Sequence, residues 1–238
     1  MIKKIDSRQN QRIKDLIKLS LAKYSKEQRL FKIEGQHALE MAKKSGVLLS
    51  VFTTKEIPDL HVPQYLVSKD IMESISSAKS PQGVICVCSY IDEKPLKSNR
   101  VLMLDNVSDP GNLGTLLRTA LAFGYNDVIL KEGCSQYNEK VLQSTQGAIF
   151  NLNIVNYEGP KQLKGYEVIA TEIKGSVDLS TLGKINKHIL VLGNEAHGVS
   201  KEILEFADKR VRIDIKNIES LNVAVAGAIA MYEFSKNI

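Results

Sequence analysis

The sequence lacks the features of several large protein classes. It has three cysteines in 238 residues, an odd number without metal-type spacing, so we expect buried thiols at Cys86, Cys88 and Cys134 and neither a disulfide nor a bound metal. No apolar run approaches the roughly 20 residues that span a bilayer, and the N-terminus MIKKIDSRQNQRIKDL has no apolar signal-peptide core. We therefore expect a soluble cytoplasmic protein with no membrane partner.

A glycine-rich nucleotide-binding fingerprint is also missing. Doubly wound methyltransferases and dehydrogenases place G-x-G-x-x-G directly after their first strand, because the chain must approach a pyrophosphate closely there. The nearest segment of this chain, PGNLG at 110–114, is neither that fingerprint nor a P-loop. This absence argues against both enzyme classes.

Charge is distributed unevenly along the chain. Residues 1–32 carry ten basic and three acidic side chains, a net +7, whereas the whole chain has a net charge of +5. A cationic end on a nearly neutral body suits binding to a phosphate backbone, since each neutralised phosphate releases condensed counterions. A basic helix face that is merely solvated would give the same charge count, and charge alone does not separate the two interpretations.

The first 90 residues predict a small α/β domain. Ile13, Leu16, Ile17 and Leu21 recur at helical spacing and predict one amphipathic helix from about Ser7 to Tyr24. Strands are predicted at LFKIEG, VLLSVFTT and GVICVCSY, with helices over GQHALEMAKKSG and SKDIMESISSA. Residues 91–100, IDEKPLKSNR, have linker composition. We predict domains at 1–90 and 101–238.

The second half predicts a parallel sheet. Continuously apolar strands (VLMLD, NDVILK, GYEVIAT, HILVLGN and VRIDI) alternate with helices and end in a long apolar helix from Ser220. Strands of this kind are buried on both faces, which favours an α/β fold with helices on each side of the sheet. Ligands of such sheets bind beyond the carboxyl ends of the strands, so the loops that leave the strands are the candidate site.

Three of these loops carry unusual polar residues. The first, DNVSDPGNLGTLLRTALAFG, places Asn112 and Arg118 near the start of a helix, and their six-residue separation suggests a shared face. The second, LVLGNEAHGVS, offers Glu195. The third, RIDIKNIESLNVAVAGAIAMYEF, has Ser220 as a candidate helix cap and Asn222 in the first helical turn. Taken singly, the first and third loops fit an ordinary strand-to-helix turn or capped helix better than a functional site, and Glu195 of the second fits a helix-capping role.

Together and in this order, the loops resemble the three motifs of the SpoU family of RNA ribose methyltransferases, in the SPOUT superfamily. Asn112 and Arg118 match the first motif at its spacing, GNEAHG matches the Gly-x-Glu-x-x-Gly of the second, and ESLNVAVA matches the third. FKIEGQHALEMA and SPQGVICV resemble the family's N-terminal RNA substrate-binding domain. Where the family commonly has Arg-Ala-Ser, this chain has Gln143, Ser144 and Thr145.

The resemblance implies a small N-terminal α/β RNA-binding domain and a C-terminal parallel-sheet SPOUT domain with a trefoil knot, which general topology rules would never suggest. It implies transfer of a methyl group from S-adenosylmethionine to a ribose 2'-hydroxyl, and this hydroxyl distinguishes an RNA substrate from DNA. The catalytic residues carried over are Asn112, Arg118, Glu195, Ser220 and Asn222. The cofactor-binding residues carried over are Thr171, Leu192, Gly193, Ile213 and Leu221. Family members are homodimers, and we expect the Ala/Gly-rich face of the last helix to take part in a symmetric interface.

Two further functions remain open from the sequence. Large-subunit ribosomal RNA is the expected substrate, because the N-terminal domain resembles the ribosomal branch of the family, and transfer RNA is the alternative. A non-catalytic RNA-binding protein of ribosome assembly would share the fold, but its motif residues should have decayed, and all five stand.

Overall fold

The computed structural model describes residues 1–78, 80–173 and 175–236. It divides into two compact units: unit 1 comprises Met1–Asp92 and Tyr137–Phe150, and unit 2 comprises Glu93–Gln136 and Asn151–Ile238. The sequence predicts that Tyr137–Phe150 lies in the second domain, whereas the structure groups this segment with unit 1. Those boundaries, 1–90 and 101–238, stay a prediction.

Unit 1 is built on a mixed five-stranded sheet in the order β1-β4-β3-β5-β2. Its strands are β1 (Ile2–Ile5), β2 (Leu30–Glu34), β3 (Leu48–Thr53), β4 (Gln64–Val67) and β5 (Val84–Ser89). Its helices are α1 (Gln11–Lys18), α2 (Ala22–Gln28), α3 (Gln36–Ser45), α4 (Lys69–Ile75) and, later in the chain, α6 (Glu139–Thr145). The predicted α/β character of this region is confirmed.

The N-terminal helix differs from its prediction. The structure has two helices, α1 and α2, where the sequence predicts one, and Asn10 caps the first through its side chain, which accepts a hydrogen bond from the Arg12 backbone. Ile13 and Leu16 are buried, but Ile17 and Leu21 are exposed. The chain turns after Lys18, so apolar residues at helical spacing do not all share one face. The prediction of a single helix from Ser7 to Tyr24 is therefore wrong.

The segment Tyr137–Phe150 belongs to unit 1 through aromatic and ionic contacts. The Tyr137 ring stacks on Tyr90 with centroids 3.7 Å apart and on Phe31 at 4.9 Å. The ammonium of Lys32, only 5% exposed, lies 3.0 Å from a Glu139 carboxylate oxygen. Because Lys32 is buried in this ion pair, it does not contribute to the exposed cationic surface that the N-terminal charge count suggests.

Unit 2 contains a seven-stranded sheet in the order β10-β12-β9-β11-β6-β7-β8. Every strand pair in it is parallel, which confirms the predicted parallel sheet. The strands are β6 (Arg100–Asp105), β7 (Asp127–Lys131), β8 (Asn153–Asn156), β9 (Glu167–Thr171), β10 (Val177–Asp178), β11 (His188–Leu192) and β12 (Lys209–Arg212). The short edge strands β8 and β10 were not predicted.

Helices cover both faces of this sheet. α7 (Lys201–Phe206) buries Ile203 in an apolar cluster with Val101, Met103 and Val191. α5 (Pro110–Ala122) and α8 (Val223–Ser235) pack on the other face, where a β-carbon on Gly227 would collide with Leu116 and Leu192. A glycine is needed there because α8 lies so close to α5 and β11.

The central strands place two of the candidate loops side by side. β6 lies between β11 and β7, and Leu104 near its end pairs with Leu192 at the end of β11. The loops that follow β6 and β11 therefore leave the same edge of the sheet next to each other. The trefoil knot that the resemblance implies stays a prediction.

The remaining general expectations concern cysteines and membranes. Cys86 and Cys88 are buried in β5, and burial raises the pKa of the Cys86 thiol to about 12. Cys134 is half-buried in the loop after β7. Within the described ranges, no helix has the length and apolar character needed to cross a membrane.

Candidate active site

The first helix of unit 2 begins at a well-capped N-terminus. The Asp109 side chain accepts a hydrogen bond from the Asn112 backbone N–H at 2.8 Å, and Pro110 occupies the first turn, where no backbone N–H is required. This cap fixes the direction in which the first turn of α5 leaves β6. The Asn112 side chain is thereby held at the carboxyl edge of the sheet.

Three predicted side chains form one hydrogen-bond relay. Asn222 Nδ2 donates to Asn112 Oδ1 at 2.9 Å, and Asn112 Nδ2 donates to Glu195 Oε1 at 2.9 Å. The direction of the relay is fixed at both ends. Asn222 Oδ1 accepts the first N–H groups of α8, while the Glu195 carboxylate can only accept. The relay joins residues that lie 83 and 110 positions apart in the sequence.

Glu195 is surrounded by donors. Its carboxylate accepts the backbone N–H of Ser108 at 3.2 Å, the Ser108 hydroxyl at 3.0 Å and the backbone N–H of Asp109 at 3.1 Å. Burial acts to raise its pKa, but the hydrogen bonds from Asn112 and the backbone outweigh it and hold the pKa at about 2. A carboxylate with such a pKa is ionised at neutral pH and is a weak proton acceptor, so this site suits Glu195 to accepting hydrogen bonds rather than to removing protons.

Asn194 and Gly193 shape the loop that carries Glu195. Asn194 Oδ1 accepts the backbone N–H groups of Ala196 and His197 at 2.9 and 3.1 Å, and Asn194 Nδ2 donates to the Asn106 carbonyl at 2.9 Å. A β-carbon on Gly193 would overlap the backbone of Gly198 and Val199. The loop closes back on the end of β11, and only glycine leaves room for that closure.

Arg118 does not join this relay. Six residues along an α-helix correspond to a rotation that leaves two side chains about 120° apart, and to about 9 Å along the axis. Arg118 is accordingly exposed, and it has no hydrogen bond or ion pair among the described residues. The expectation that Asn112 and Arg118 share a face is wrong, because six residues fall well short of two full turns.

In the third motif, the residue that caps α8 is not the predicted one. Asn222, not Ser220, caps α8, which begins at Val223 rather than at Ser220. Ser220 is exposed and lies outside the relay, since the chain from Asn217 to Leu221 is irregular. The predicted role of Ser220 as the helix cap is therefore wrong, although Asn222 takes it over two residues later.

The predicted cofactor residues lie along one edge of the sheet. Strands β12, β9 and β11 are neighbours, and Thr171 and Leu192 are the last residues of β9 and β11, while Ile213 directly follows β12. The Thr171 hydroxyl donates to the Val191 carbonyl at 3.0 Å. Ile213 and Leu221 are half-buried. The arrangement offers strand-end backbone and apolar side chains.

We compared the relay with a surface cavity and with clusters of possible metal ligands in the described residues. A surface cavity of about 520 Å³ lies among Glu93, Lys94, Glu158, Lys164 and Lys187, and none of the predicted site residues lines it. In residues 1–78, 80–173 and 175–236, no group of three or more His, Cys, Asp or Glu side chains is arranged to hold a metal ion. The relay remains the candidate site.

Several residues of the site were missed from the sequence. Ser108 and Asp109 bind Glu195, and Asn194 folds the loop around it. Asp109 followed by Pro110 is a helix-start signature that could have been noticed. No sequence pattern marks the hydrogen bonds that Ser108 donates or the turn that Asn194 makes. Both depend on contacts between the loops that follow β6 and β11.

Comparisons with known proteins agree on one family. Residues 99–232 match the SpoU rRNA Methylase family, and residues 10–86 match the MRM3-like substrate binding domain. The chain is 35% identical, over 97% of its length and 98% of the relative's, to the 23S rRNA (guanosine(2553)-2'-O)-methyltransferase RlmP of Bacillus subtilis. It is 31% identical, over 98% of its length and 93% of the relative's, to an uncharacterized tRNA/rRNA methyltransferase of Synechocystis.

A solved structure has the same overall architecture. The AdoMet-bound rRNA methyltransferase from Sinorhizobium meliloti superimposes with a TM-score of 0.91 at 27% identity, and the alignment covers 100% of this chain and 98% of that protein. The alignment extends over the residues of both units, and each unit therefore has a counterpart in that protein.

Proposed function

The chain belongs to the SpoU rRNA methylase family, and we propose that it transfers a methyl group from S-adenosylmethionine to the ribose 2'-hydroxyl of one nucleotide in 23S ribosomal RNA. The observation that carries the proposal is the relay of Asn222, Asn112 and Glu195, which ties the three family motifs together at the carboxyl edge of the parallel sheet. The relative at 35% identity is named for 2'-O-methylation of a guanosine in 23S rRNA. We place the protein in the cytoplasm with its substrate.

The residues at the sheet edge fit the cofactor. We propose that the backbone of Thr171, Leu192 and Gly193, together with the half-buried side chains of Ile213 and Leu221, holds S-adenosylmethionine. None of these side chains is ionisable, so binding would rest on backbone hydrogen bonds and apolar contact, which suit an adenine ring. When bound, the cofactor supplies an electrophilic methyl group on a sulfonium. The protein then has mainly to position the acceptor hydroxyl, which can contribute roughly 7 to 11 kcal/mol.

We propose that no residue of the relay accepts the proton that the ribose 2'-hydroxyl loses during methyl transfer. The lowered pKa of Glu195, about 2, makes it a weak base, and a guanidinium group is not a base at neutral pH. Arg118 would bind the phosphate beside the target ribose through two parallel hydrogen bonds and stabilise the forming alkoxide. The proton would leave to a phosphate oxygen or to water. Asn112 and Glu195 would orient the ribose.

The first test is methyl transfer itself. Radiolabelled S-adenosylmethionine should label unmodified 23S rRNA with the wild-type protein, whereas Arg118→Lys should lose about 10²-fold in rate and still bind the cofactor, because lysine cannot make the paired contact. Arg210→Lys, another exposed arginine of unit 2, is the matched control and should remain active. A fully active Arg118→Lys variant would rule out the phosphate clamp.

The outcomes of the same assay separate the other functions. Label on bulk transfer RNA but not on ribosomal RNA would assign a tRNA methyltransferase. Cofactor binding without label on either RNA would point to an assembled ribosomal particle as the substrate. Neither label nor cofactor binding would identify a non-catalytic RNA-binding protein.

The RNA-binding surface is proposed to lie on unit 1. All basic side chains of residues 1–32 except Lys32 are exposed, and the match to a substrate-binding domain covers this region. Removing the N-terminal segment would not test the idea, since Ile5, Ile13 and Leu16 belong to the core of unit 1. Charge must instead be removed from exposed positions.

Two lysines on α1 offer that test. Lys14 and Lys18 are four residues apart and share one face of the helix. Lys14→Gln/Lys18→Gln should reduce the slope of log binding constant against log salt by about 1.4 to 1.8, at about 0.7 to 0.9 per lost phosphate contact. Lys43→Gln/Lys44→Gln on α3 removes the same charge and should leave the slope unchanged. Equal slopes for all three proteins, measured by RNA titration, would contradict the assignment.

We also propose a homodimer. Ala224, Gly227 and Ala230 of the Ala/Gly-rich face of α8 are buried within unit 2, so we place the contact on a different face of the helix. The exposed apolar residues of α8 are instead Val225, Ile229 and Tyr232, which recur at helical spacing. An isologous contact through this stripe would explain their exposure. It would also allow Arg118, which does not reach the relay of its own copy, to serve the site of the second copy.

Mixing two inactive variants tests this dimer. If each site combines Asn112 of one copy with Arg118 of the other, Asn112→Ala and Arg118→Ala co-expressed in equal amounts should recover about a quarter of wild-type activity, because half of the dimers are mixed and each has one intact site. If both residues act within one copy, no mixed dimer has an intact site. Activity no higher than that of either variant alone would therefore contradict the shared site.

A further inference from the structure

An ionic cluster centred on the buried Asp105 lies at the strand ends from which the relay loops leave. Asp105, the last residue of β6, is 1% exposed and accepts the Ser200 backbone N–H at 2.6 Å and the Lys131 ammonium at 3.1 Å. Lys131, the last residue of β7, also donates to the Ser200 hydroxyl at 3.1 Å and lies 3.3 Å from a Glu202 carboxylate oxygen. The cluster connects two strand ends to the start of α7.

Its position links the two loops of the relay. The loop that leads to Asn112 begins immediately after Asp105, and the loop that carries Glu195 ends at Ser200. Asn106 adopts a left-handed backbone conformation with φ of 59°, and its N–H donates to the Lys131 carbonyl at 2.7 Å. Both the exit of β6 and the return of the second loop are therefore fixed by Asp105 and its neighbours.

Stability does not by itself account for a charged cluster at this place. Removing a carboxylate from water is costly, and a buried ion pair is often no more stabilising than well-packed apolar residues of similar size. An aspartate with two carboxylate oxygens, however, can hold a backbone N–H and an ammonium at the same time. That property fixes the separation of two loops, which apolar packing would leave less well defined.

We infer that Asp105, with Lys131, is a positioning residue that sets the distance between the Asn112 and Glu195 loops and so aligns the ribose for methyl transfer. The inference rests on the proposed function and deepens it. Asp105 does not contact the relay; it acts through Ser200 and the loop that ends there. Its loss should therefore lower the maximal rate without changing the affinity for RNA, which we assign to unit 1.

The chain contains a matched control for this residue. Asp127, the first residue of β7, is 3% exposed and likewise accepts two backbone N–H groups, from Lys97 at 2.8 Å and Ser98 at 2.6 Å, and one from Asn153 Nδ2 at 2.6 Å. It lies at the opposite end of the strand that ends in Lys131, about 13 Å away at about 3.3 Å per residue. Asp127→Asn disturbs a comparable buried carboxylate far from the site.

The experiment compares Asp105→Asn and Asp127→Asn in the full-length protein. The expected result is that Asp105→Asn lowers kcat about 10²-fold with the KM for 23S rRNA within about threefold of wild type, whereas Asp127→Asn changes kcat less than threefold, with similar losses of Tm in both. Equal effects on kcat, or an Asp105→Asn variant as active as wild type, would overturn the inference. A wild-type protein that transfers no methyl group would instead count against the proposed function.

Ser200→Pro provides a second variant that keeps both charged groups of the Asp105–Lys131 pair, although it also removes the Ser200 hydroxyl that accepts from Lys131. Ser200 has φ of −64°, which proline adopts without strain, but proline has no N–H for Asp105 to accept. The same split between kcat and KM is expected, about 10-fold or more in kcat. If Asp105→Asn fails to fold, an unchanged kcat in Ser200→Pro would be sufficient to overturn the inference.

Discussion

Gly193→Ala is expected to abolish binding of S-adenosylmethionine and to destabilise unit 2. A methyl group at this position would overlap the backbone of Gly198 and Val199, so the loop could no longer close against the end of β11. Backbone atoms cannot move aside as a flexible side chain can, and overpacking of this kind costs about 3 kcal/mol or more. The proposed cofactor edge and Glu195 would both be displaced.

Calorimetric titration with the cofactor and a thermal scan measure the two effects. The dissociation constant should increase by more than about 10²-fold, and Tm should fall by about 6 to 12 °C, at about 2 to 4 °C per kcal/mol for a chain of this size. Gly183→Ala is the matched control, because a β-carbon there meets nothing within 4 Å. Cofactor binding by Gly193→Ala at wild-type strength would contradict the assignment of this edge.

Glu195→Gln is expected to lower methyl transfer by about 10²-fold while cofactor affinity stays within about threefold of wild type. The carboxylate accepts hydrogen bonds from the Ser108 N–H and hydroxyl, the Asp109 N–H and the Asn112 and Asn194 amides. A glutamine would direct its own N–H groups toward some of these donors, and the two loops would separate.

Steady-state rates with 23S rRNA, together with cofactor titration, test this substitution. Glu205→Gln, on the exposed side of α7, is the control and should behave as wild type. Because the pKa of Glu195 is about 2, the carboxylate stays ionised from pH 6 upward, and any titration seen in the wild-type rate above that pH belongs to another group. A Glu195→Gln enzyme with wild-type kcat would show that the relay does not orient the substrate.

The sequence determines many of the local elements because their signals are short-range. The continuously apolar segments of β6, β7, β9 and β11 could be identified directly, and their alternation with helices predicted the parallel sheet. The edge strand β1 was missed because Lys3 and Lys4 interrupt its apolar pattern. The split between α1 and α2 was missed because Ile17 and Leu21 fit the helical spacing and yet remain exposed.

Some residues of the site could also be identified from the sequence, whereas the positions of others could not. Asn112, Glu195 and Asn222 could be named from their motifs, and the structure joins them. The motif alone could not show that Arg118 lies about 120° around the helix from Asn112, that α8 begins after Asn222 rather than at Ser220, or that Asp105 and Lys131 hold the loops.

By itself, the sequence determined the family, the alternation of the main strands and helices of unit 2 and the chemical types of the site residues, because these depend on local pattern and on residue identity. Only the tertiary structure decided which residues meet. The strand order that places β11 beside β6 brings Glu195 to Asn112 across 83 positions of sequence, and the buried Asp105 fixes their separation. Such contacts depend on how distant strands pair, which no short segment of the chain specifies.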